Sequence, residues 1–392
     1  MRRRSSFSCS QESFLQARLT VVSQLALALG FLAAAACNRQ STARAEPDSG
    51  QSPAPTPATL RAQQQFDSAT TISREVKDVF DRAAKAVVKI QASDEHGELS
   101  GTGFFVDPMG TLYTAYSVGG EAENFKVEFG GRKYAAHQLL ADVRSGVAML
   151  KVDLATPALP IGKSDELEIA TPVVAIGFPL DLQKTPSFGM IAGFDRKCLG
   201  RYFPTTHLRV NVPMQRGEGG APLLNFKGEV VGIVVSSLEN NSSCYALPIE
   251  AAEKIRSDFA RFGEARHGWI GANVSEAVAA VDGSRAETTG LVEGTPAAES
   301  GMKAGDIVVQ IGRTKVTEPE DILDASFYIT AGDTVPITVV RNGEKITFNV
   351  QAAVHPASKN IPMYPDGRQL PMSATAVPNR SIPLNLSEPP RR

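Results

Sequence analysis

Residues 101–117 read GTGFFVDPMGTLYTAYS, and the pattern of this stretch decides the fold. Two short segments rich in aromatic and β-branched residues, GTGFFVD and GTLYTAYS, meet at the turn Asp107-Pro108-Met109-Gly110. That is the signature of paired strands rather than of a helix. Working outward, AVVKIQA (86–92) precedes the pair, and NFKVEFGGRKYAAHQLL (124–140), VAMLKVD (147–153), PVVAIGF (172–178), LRVNV (208–212) and EVVGIVVSS (229–237) follow it. Many short strands separated by Gly, Pro and Asp, with few helical patterns between them, predict an all-β barrel or sandwich. One helix, ISREVKDVFDRAAK (72–85), leads into the first strand.

The chain has 392 residues, enough for two cores with tails. Its 40 basic and 42 acidic residues nearly cancel, which argues against a nucleic acid or another polyanion as partner. Residues 1–37 read as an export segment: MRRR, an apolar run from Leu19 to Ala36, and Ala34-Ala35-Ala36 directly before Cys37. This resembles a bacterial lipoprotein processing site with lipidation at Cys37, although Ala34 is smaller than the residue usual there. A simple cleaved signal and an uncleaved membrane anchor are the alternatives, and all three place the body outside the cytoplasm. Residues 38–65, rich in Pro, Ser, Ala and Gln, read as a disordered linker, and residues 355–392 as a disordered Pro-rich tail. Of the four cysteines, Cys9 and Cys37 lie in the export segment, which leaves Cys198 and Cys244 as a disulfide candidate in an oxidising compartment, with two separate buried thiols as the alternative. The five histidines are scattered, so no metal site and no cofactor is expected.

Five segments then carry a family resemblance: SGTGFFVDPMGTLYTAYSV (100–118), ADVRSGVAMLKV (141–152), PVVAIGFPL (172–180), RGEGGAPLLNFKGEVVGIV (216–234) and YALPIEAA (245–252). In order and spacing they resemble the HtrA/DegP family of envelope serine proteases. The resemblance implies a mainly β chain, with a chymotrypsin-like double β-barrel over 66–262 followed by a PDZ domain, an α+β antiparallel partial barrel, over 266–354.

Acyl-transfer chemistry of that kind needs a serine oxygen, a histidine to take its proton and an aspartate to hold the histidine. The resemblance puts Ser117 at the histidine position, Gly146 at the aspartate position and Gly219 at the serine position. On those identities the chain is expected to be no enzyme, a pseudoprotease in which none of the three side chains is present. Asp142, four residues before Gly146, matches an acidic position outside the triad, and His137 reads as a strand residue rather than a substitute base. Gly217, Glu218 and Gly219 read as the remnant of an oxyanion loop, with Gly217, Gly219 and Gly220 all able to adopt positive φ.

The second ordered stretch contains GWIGANV (268–274), PAAESGMKAGDIV (296–308) and VVRNGEKI (339–346), which resemble an HtrA-type PDZ domain. The first supplies a terminal-carboxylate loop, Trp269, Ile270, Gly271 and Ala272, facing a helix near Asp321 to Ile329. Trp269 reads equally as a groove residue or a domain-interface anchor. The expected partners are peptide C-termini or unfolded proteins, and an active HtrA-like protease. The resemblance adds a homotrimer and a lipid-anchored place on the periplasmic side of the envelope. Three functions stand side by side: a non-catalytic adaptor, chaperone or regulator in protein quality control, an active endopeptidase that degrades misfolded envelope proteins, and a bare scaffold.

Overall fold

In the computed structural model, residues 57–198, 201–238 and 241–354 are described. The export segment with Cys37, most of the linker and the tail lie outside them. Among the described residues, no helix is long and apolar enough to cross a membrane.

The chain enters through a long helix, α1 (Pro57–Ala83). The linker expectation is therefore corrected at its end, since 57–65 are helical. Pro57 is suited to a first helical turn, and LRAQQQ supplies strong helix formers. Strands β1 (Val87–Asp94), β2 (Gly97–Phe105) and β3 (Thr111–Ala115) follow, then the short helix α2 (Tyr116–Gly119) and strands β4 (Glu123–Phe129), β5 (Arg132–Ala135), β6 (His137–Asp142) and β7 (Val147–Lys151). They form one sheet in the order β5-β4-β1-β2-β3-β7-β6. The hairpin expected at 101–117 is β2–β3, paired Gly103 to Thr114 and Phe105 to Leu112. Asp107 closes its turn by accepting the N–H groups of Met109 at 2.9 Å and Thr111 at 3.1 Å.

Strands β8 (Pro172–Gly177), β9 (Thr185–Cys198), β10 (Arg201–Val210), β11 (Pro222–Leu224), β12 (Val230–Ser237) and β13 (Cys244–Pro248) close into a barrel, in the order β10-β13-β12-β11-β8-β9. Helix α3 (Ile249–Phe262) ends this half at Gly263, whose φ of 76° lets it cap the helix. The largest core joins the two halves. Phe104, Tyr113 and Met149 of the first sheet meet Ile176, Leu224 and Leu247 of the second, with Val79 of α1 and Ile255 of α3 packed against them. Burial on this scale dominates the stability, at about 1.5–3 kcal/mol per large apolar side chain.

The last part consists of β14 (Gly268–Trp269), β15 (Ala272–Val281), β16 (Ser284–Leu291), the short helix α4 (Pro296–Glu299), β17 (Ile307–Ile311), β18 (Thr314–Lys315), helix α5 (Pro319–Phe327), β19 (Thr334–Arg341), β20 (Glu344–Gln351) and β21 (Ala353–Val354). Its main sheet runs β15-β16-β17-β19-β20, which leaves β15 at the edge. The core, with Ile270, Ile322, Ala325, Ile337 and Val350, is its own, but Phe327 of α5 is fully buried in the large core shared by the two halves. Asp324 accepts Thr205 Oγ1–H at 2.5 Å and Thr206 N–H at 2.7 Å, and Asp321 pairs with Arg196 at 2.6 Å, so α5 is also bound to the β9–β10 hairpin.

The expected Cys198–Cys244 disulfide is corrected by strand register. Cys244 pairs with Val210, which pairs with Ile191, whereas Cys198 pairs with Arg201 at the other end of the same hairpin. Seven strand residues separate the two levels, about 20 Å, against the roughly 4–7 Å that a disulfide tolerates between Cα atoms. Cys244 is a free, buried thiol, and burial pushes it up to about 12.

Candidate functional site

The two β halves meet at a cleft that brings the three sequence-matched positions together. Ser117 lies exposed on α2, directly after β3, and Gly219 lies buried on the turn before β11. A Cβ built on Gly219 would be 3.6 Å from Ser117 Oγ and 3.5 Å from Val118. Gly146, at the start of β7 with φ 78°, turns its carbonyl to the Tyr116 N–H at 2.7 Å. All three line one place, although 102 residues separate the first from the last.

The turn opposite Ser117 is held by the first sheet. Thr102, fully buried, gives its N–H to Gly219 O at 2.9 Å and its hydroxyl to Gly217 O at 2.7 Å. Gly217 and Gly220 have φ of 93° and 86°, a conformation that suits glycine, but Gly219 does not adopt positive φ, contrary to the expectation. Among the described residues, neither Gly217 N–H nor Gly219 N–H has a backbone acceptor. Glu218 is buried, accepts the Gln215 N–H at 2.7 Å and is raised by burial. His137 is an exposed residue of β6, as expected, and His207 is buried in the second barrel against Phe203. Among the described residues no three His, Cys, Asp or Glu side chains converge as metal ligands do.

The second site is a groove. Gly271 has φ 77°, and a Cβ there would come within 2.3 Å of Thr295, so only glycine fits. The carbonyls on this loop point inward: Ile270 O takes the Ala297 N–H at 2.8 Å and Gly271 O takes the Thr295 hydroxyl at 3.3 Å. Among the described residues the Ile270 and Gly271 N–H groups have no backbone acceptor. They stand at the head of the edge strand β15 and opposite α5, with Ala272, Val274 and Ile329 forming an apolar floor. The expected helix near Asp321 to Ile329 is α5, which begins at Pro319 and stops at Phe327. Trp269 is half-buried on β14, paired with Ala353.

Sequence reasoning missed the junction between the two sites. His267 Nε2 lies 2.9 Å from Asp142 Oδ1, with both side chains buried. Burial alone would raise the Asp142 carboxyl, but the His267 charge and the Ser145 hydrogen bonds hold it well below the usual carboxylate range. Beside it, Asp258 pairs with Lys254 at 2.7 Å and accepts the Thr330 hydroxyl at 2.8 Å. The one signal in the sequence was Asp142 itself; its partner is 125 residues away.

A family model described as a trypsin-like peptidase domain matches residues 101–233, and one described as a PDZ domain matches residues 270–352. The chain has the two-domain architecture of the HtrA-type proteases. It is 30% identical over 283 residues to a protein of Halomonas elongata named "Probable periplasmic serine endoprotease DegP-like", covering 69% of this chain and 59% of that one. It is 26% identical to the serine endoprotease DegS of Salmonella typhimurium, covering 75% of this chain and 90% of that one. The chain thus spans under two thirds of its DegP-like relatives. Among solved structures, the HtrA-type protease AlgW with a tripeptide matches at a TM-score of 0.64 and 22% identity, over 75% of this chain and 99% of that one. The serine endoprotease from Yersinia pestis matches at a TM-score of 0.55 and 26% identity, over 71% of this chain and 97% of that one. The expectation that the chain is no enzyme is corrected here, because the relatives it matches are named serine endoproteases and point to a protease.

Proposed function

We propose that this chain works in extracytoplasmic protein quality control as an HtrA-type endoprotease that takes up polypeptides by their C-terminal ends through the PDZ groove. The observation that carries the reading is the groove: two backbone N–H groups, at Ile270 and Gly271, with no backbone acceptor among the described residues, heading the edge strand β15. An extended peptide can add to such an edge, with its terminal carboxylate on the N–H groups and its last side chain on the apolar floor. The periplasmic location comes from the names of the relatives, and agrees with the export segment read in the sequence. Lipid attachment at Cys37, a trimeric assembly and an active HtrA-like protease as partner belong to the same reading.

Hydrolysis in the cleft has to be supplied by groups other than a histidine at 117 and a serine at 219, since those positions carry Ser117 and Gly219. In this reading the N–H groups of Gly217 and Gly219 would receive the carbonyl oxygen, whatever the attacking group.

Fluorescence anisotropy with labelled peptides tests the uptake step. Peptides ending in a free carboxylate after an apolar residue bind, and the same peptides amidated at the C-terminus lose binding. Equal binding of both forms would overturn the groove reading. Unfolded casein tests the second step: fragments above a no-protein control carry the endoprotease reading, and intact casein removes it while leaving peptide uptake standing.

A further inference from the structure

Arg144 brings a positive charge into the junction without an acceptor to meet it among the described residues. It lies on the turn between β6 and β7, is 8% exposed, and neither its Nε nor its Nη1 has a hydrogen-bond partner among the described residues. A guanidinium has five donors and no acceptor, so only an acceptor can satisfy it. Leaving such a group dry is costly. Burial pulls Arg144 down to about 10, and the charge of Asp142 opposes this only in part.

The neighbouring acids are already engaged. Asp142 gives one oxygen to His267 at 2.9 Å and the other to Ser145 N–H at 2.9 Å. Asp258 is taken by Lys254 at 2.7 Å, by Arg266 N–H at 3.0 Å and by Thr330. With His267 on Asp142 and Lys254 on Asp258, Arg144 is left with no acceptor among the described residues. A second unpartnered buried atom, His267 Nδ1, lies on the same junction. Two buried unsatisfied side chains therefore flank Asp142, and Arg144 can be met only by an acceptor.

We propose that Arg144 holds a small inorganic anion at this junction. Size follows from enclosure: Nε and Nη1 are closed off from solvent, so an anion that meets them has to be compact. The planar fork of an arginine suits a compact anion in this setting better than an ammonium would. The anion would stiffen the turn that ends at Gly146, whose N–H closes on Asp142 O at 3.0 Å and whose carbonyl holds Tyr116, the residue before Ser117. Through His267 the same turn touches the segment entering the PDZ domain. Occupancy would therefore set the rigidity of both sites' supports at once.

The experiment uses the full chain with chloride as probe. Chlorine-35 NMR should show excess line broadening that bromide competes away, and Arg144→Met should remove it. In melting experiments at fixed ionic strength, replacing isethionate by chloride should raise the wild-type transition saturably by about 2–4 °C and leave Arg144→Met unmoved. Arg144→Lys, which keeps the charge but not the fork, should weaken the chloride response at least tenfold. Absence of competable broadening in the wild type overturns the proposal whether or not the variants fold. Equal broadening in wild type and Arg144→Met overturns it too, by placing the chloride elsewhere.

Discussion

The peptidase cleft and the PDZ groove are built by the same device and differ in what they need besides. Each presents a pair of backbone N–H groups without a backbone acceptor among the described residues, at Gly217 and Gly219 in one and at Ile270 and Gly271 in the other, beside glycines with positive φ. In the groove that device is nearly the whole site, because a bound strand needs N–H groups and an apolar floor. In the cleft it is only half, since bond cleavage also asks for side chains that attack and move a proton. A site made of backbone is protected by sterics: a Cβ at the wrong glycine destroys it. A site made of side chains has no such protection, and its identity must be read position by position.

The largest expected effect tests the steric half of this comparison. A Cβ on Gly220 would stand 2.2 Å from Thr102 O and 2.4 Å from Thr114 Oγ1, at a φ of 86°. Gly220→Ala should therefore cost about 4 kcal/mol, read as a collapse of the denaturant midpoint of the peptidase half.

Next comes acid sensitivity, which belongs to the second barrel and not to the groove. His207 is fully buried, stacked on Phe203 at 4.3 Å, and burial pulls it down to about 4, with the Thr205 carbonyl and Asp324 opposing in part. An unfolded histidine titrates near 6.5. Between about pH 6.5 and pH 4 the unfolded chain takes up a proton that the folded chain refuses, so stability falls as the solution is acidified through that window, by about 3 kcal/mol in all. Asp142 behaves oppositely in cause: its depressed carboxyl adds stability above the ordinary carboxylate range, and that contribution fades only at lower pH. His207→Gln should flatten the upper part of the profile, as followed by urea melts at stepped pH, and leave the loss at lower pH in place.

Gly271→Ala moves the test to the groove. The new Cβ would meet Thr295 at 2.3 Å, so the loop must shift and its N–H groups lose their aim. Affinity for a C-terminal peptide should drop about 100-fold, close to 3 kcal/mol, while the unfolding transition of the peptidase half stays where it was. If peptide affinity survived, the carboxylate loop would have to be elsewhere.

Much of the fold was legible because it rests on local pattern. The β2–β3 hairpin, the second barrel's strands and the Asn342-Gly343 hairpin turn all carry their turn chemistry in the sequence, whereas the cleft positions came only from the family resemblance. What failed needed register or distance. Counting cysteines suggested a bridge that the β9–β10 pairing forbids. The start of α1 hid inside a Pro- and Ala-rich run whose composition resembles a linker. Three glycines in one turn looked interchangeable, yet only two of them carry positive φ. The Asp142–His267 pair and the burial of Phe327 among peptidase residues are tertiary facts, and no window of sequence contains them.

The smallest expected effect on stability is at Gly219, and it separates the two halves of the comparison most cleanly. Its φ is ordinary and the nearest atoms to a built Cβ are at 3.5, 3.6 and 3.7 Å, so a side chain fits where Gly220 admits none. Gly219→Ser should leave the denaturant midpoint within about 0.5 kcal/mol of wild type. The new hydroxyl would face Ser117, an exposed hydroxyl that cannot take its proton, so casein hydrolysis should not rise in the single variant. Adding Ser117→His supplies the base, and the pair should exceed wild type by about 100-fold or more. A gain in the double variant without a change in stability would mean that the backbone half of the cleft is in working order, as it is in the groove. No gain would place the fault in the turn at Gly146, where an aspartate would have to accept a φ of 78° at a strain of roughly 1–2 kcal/mol.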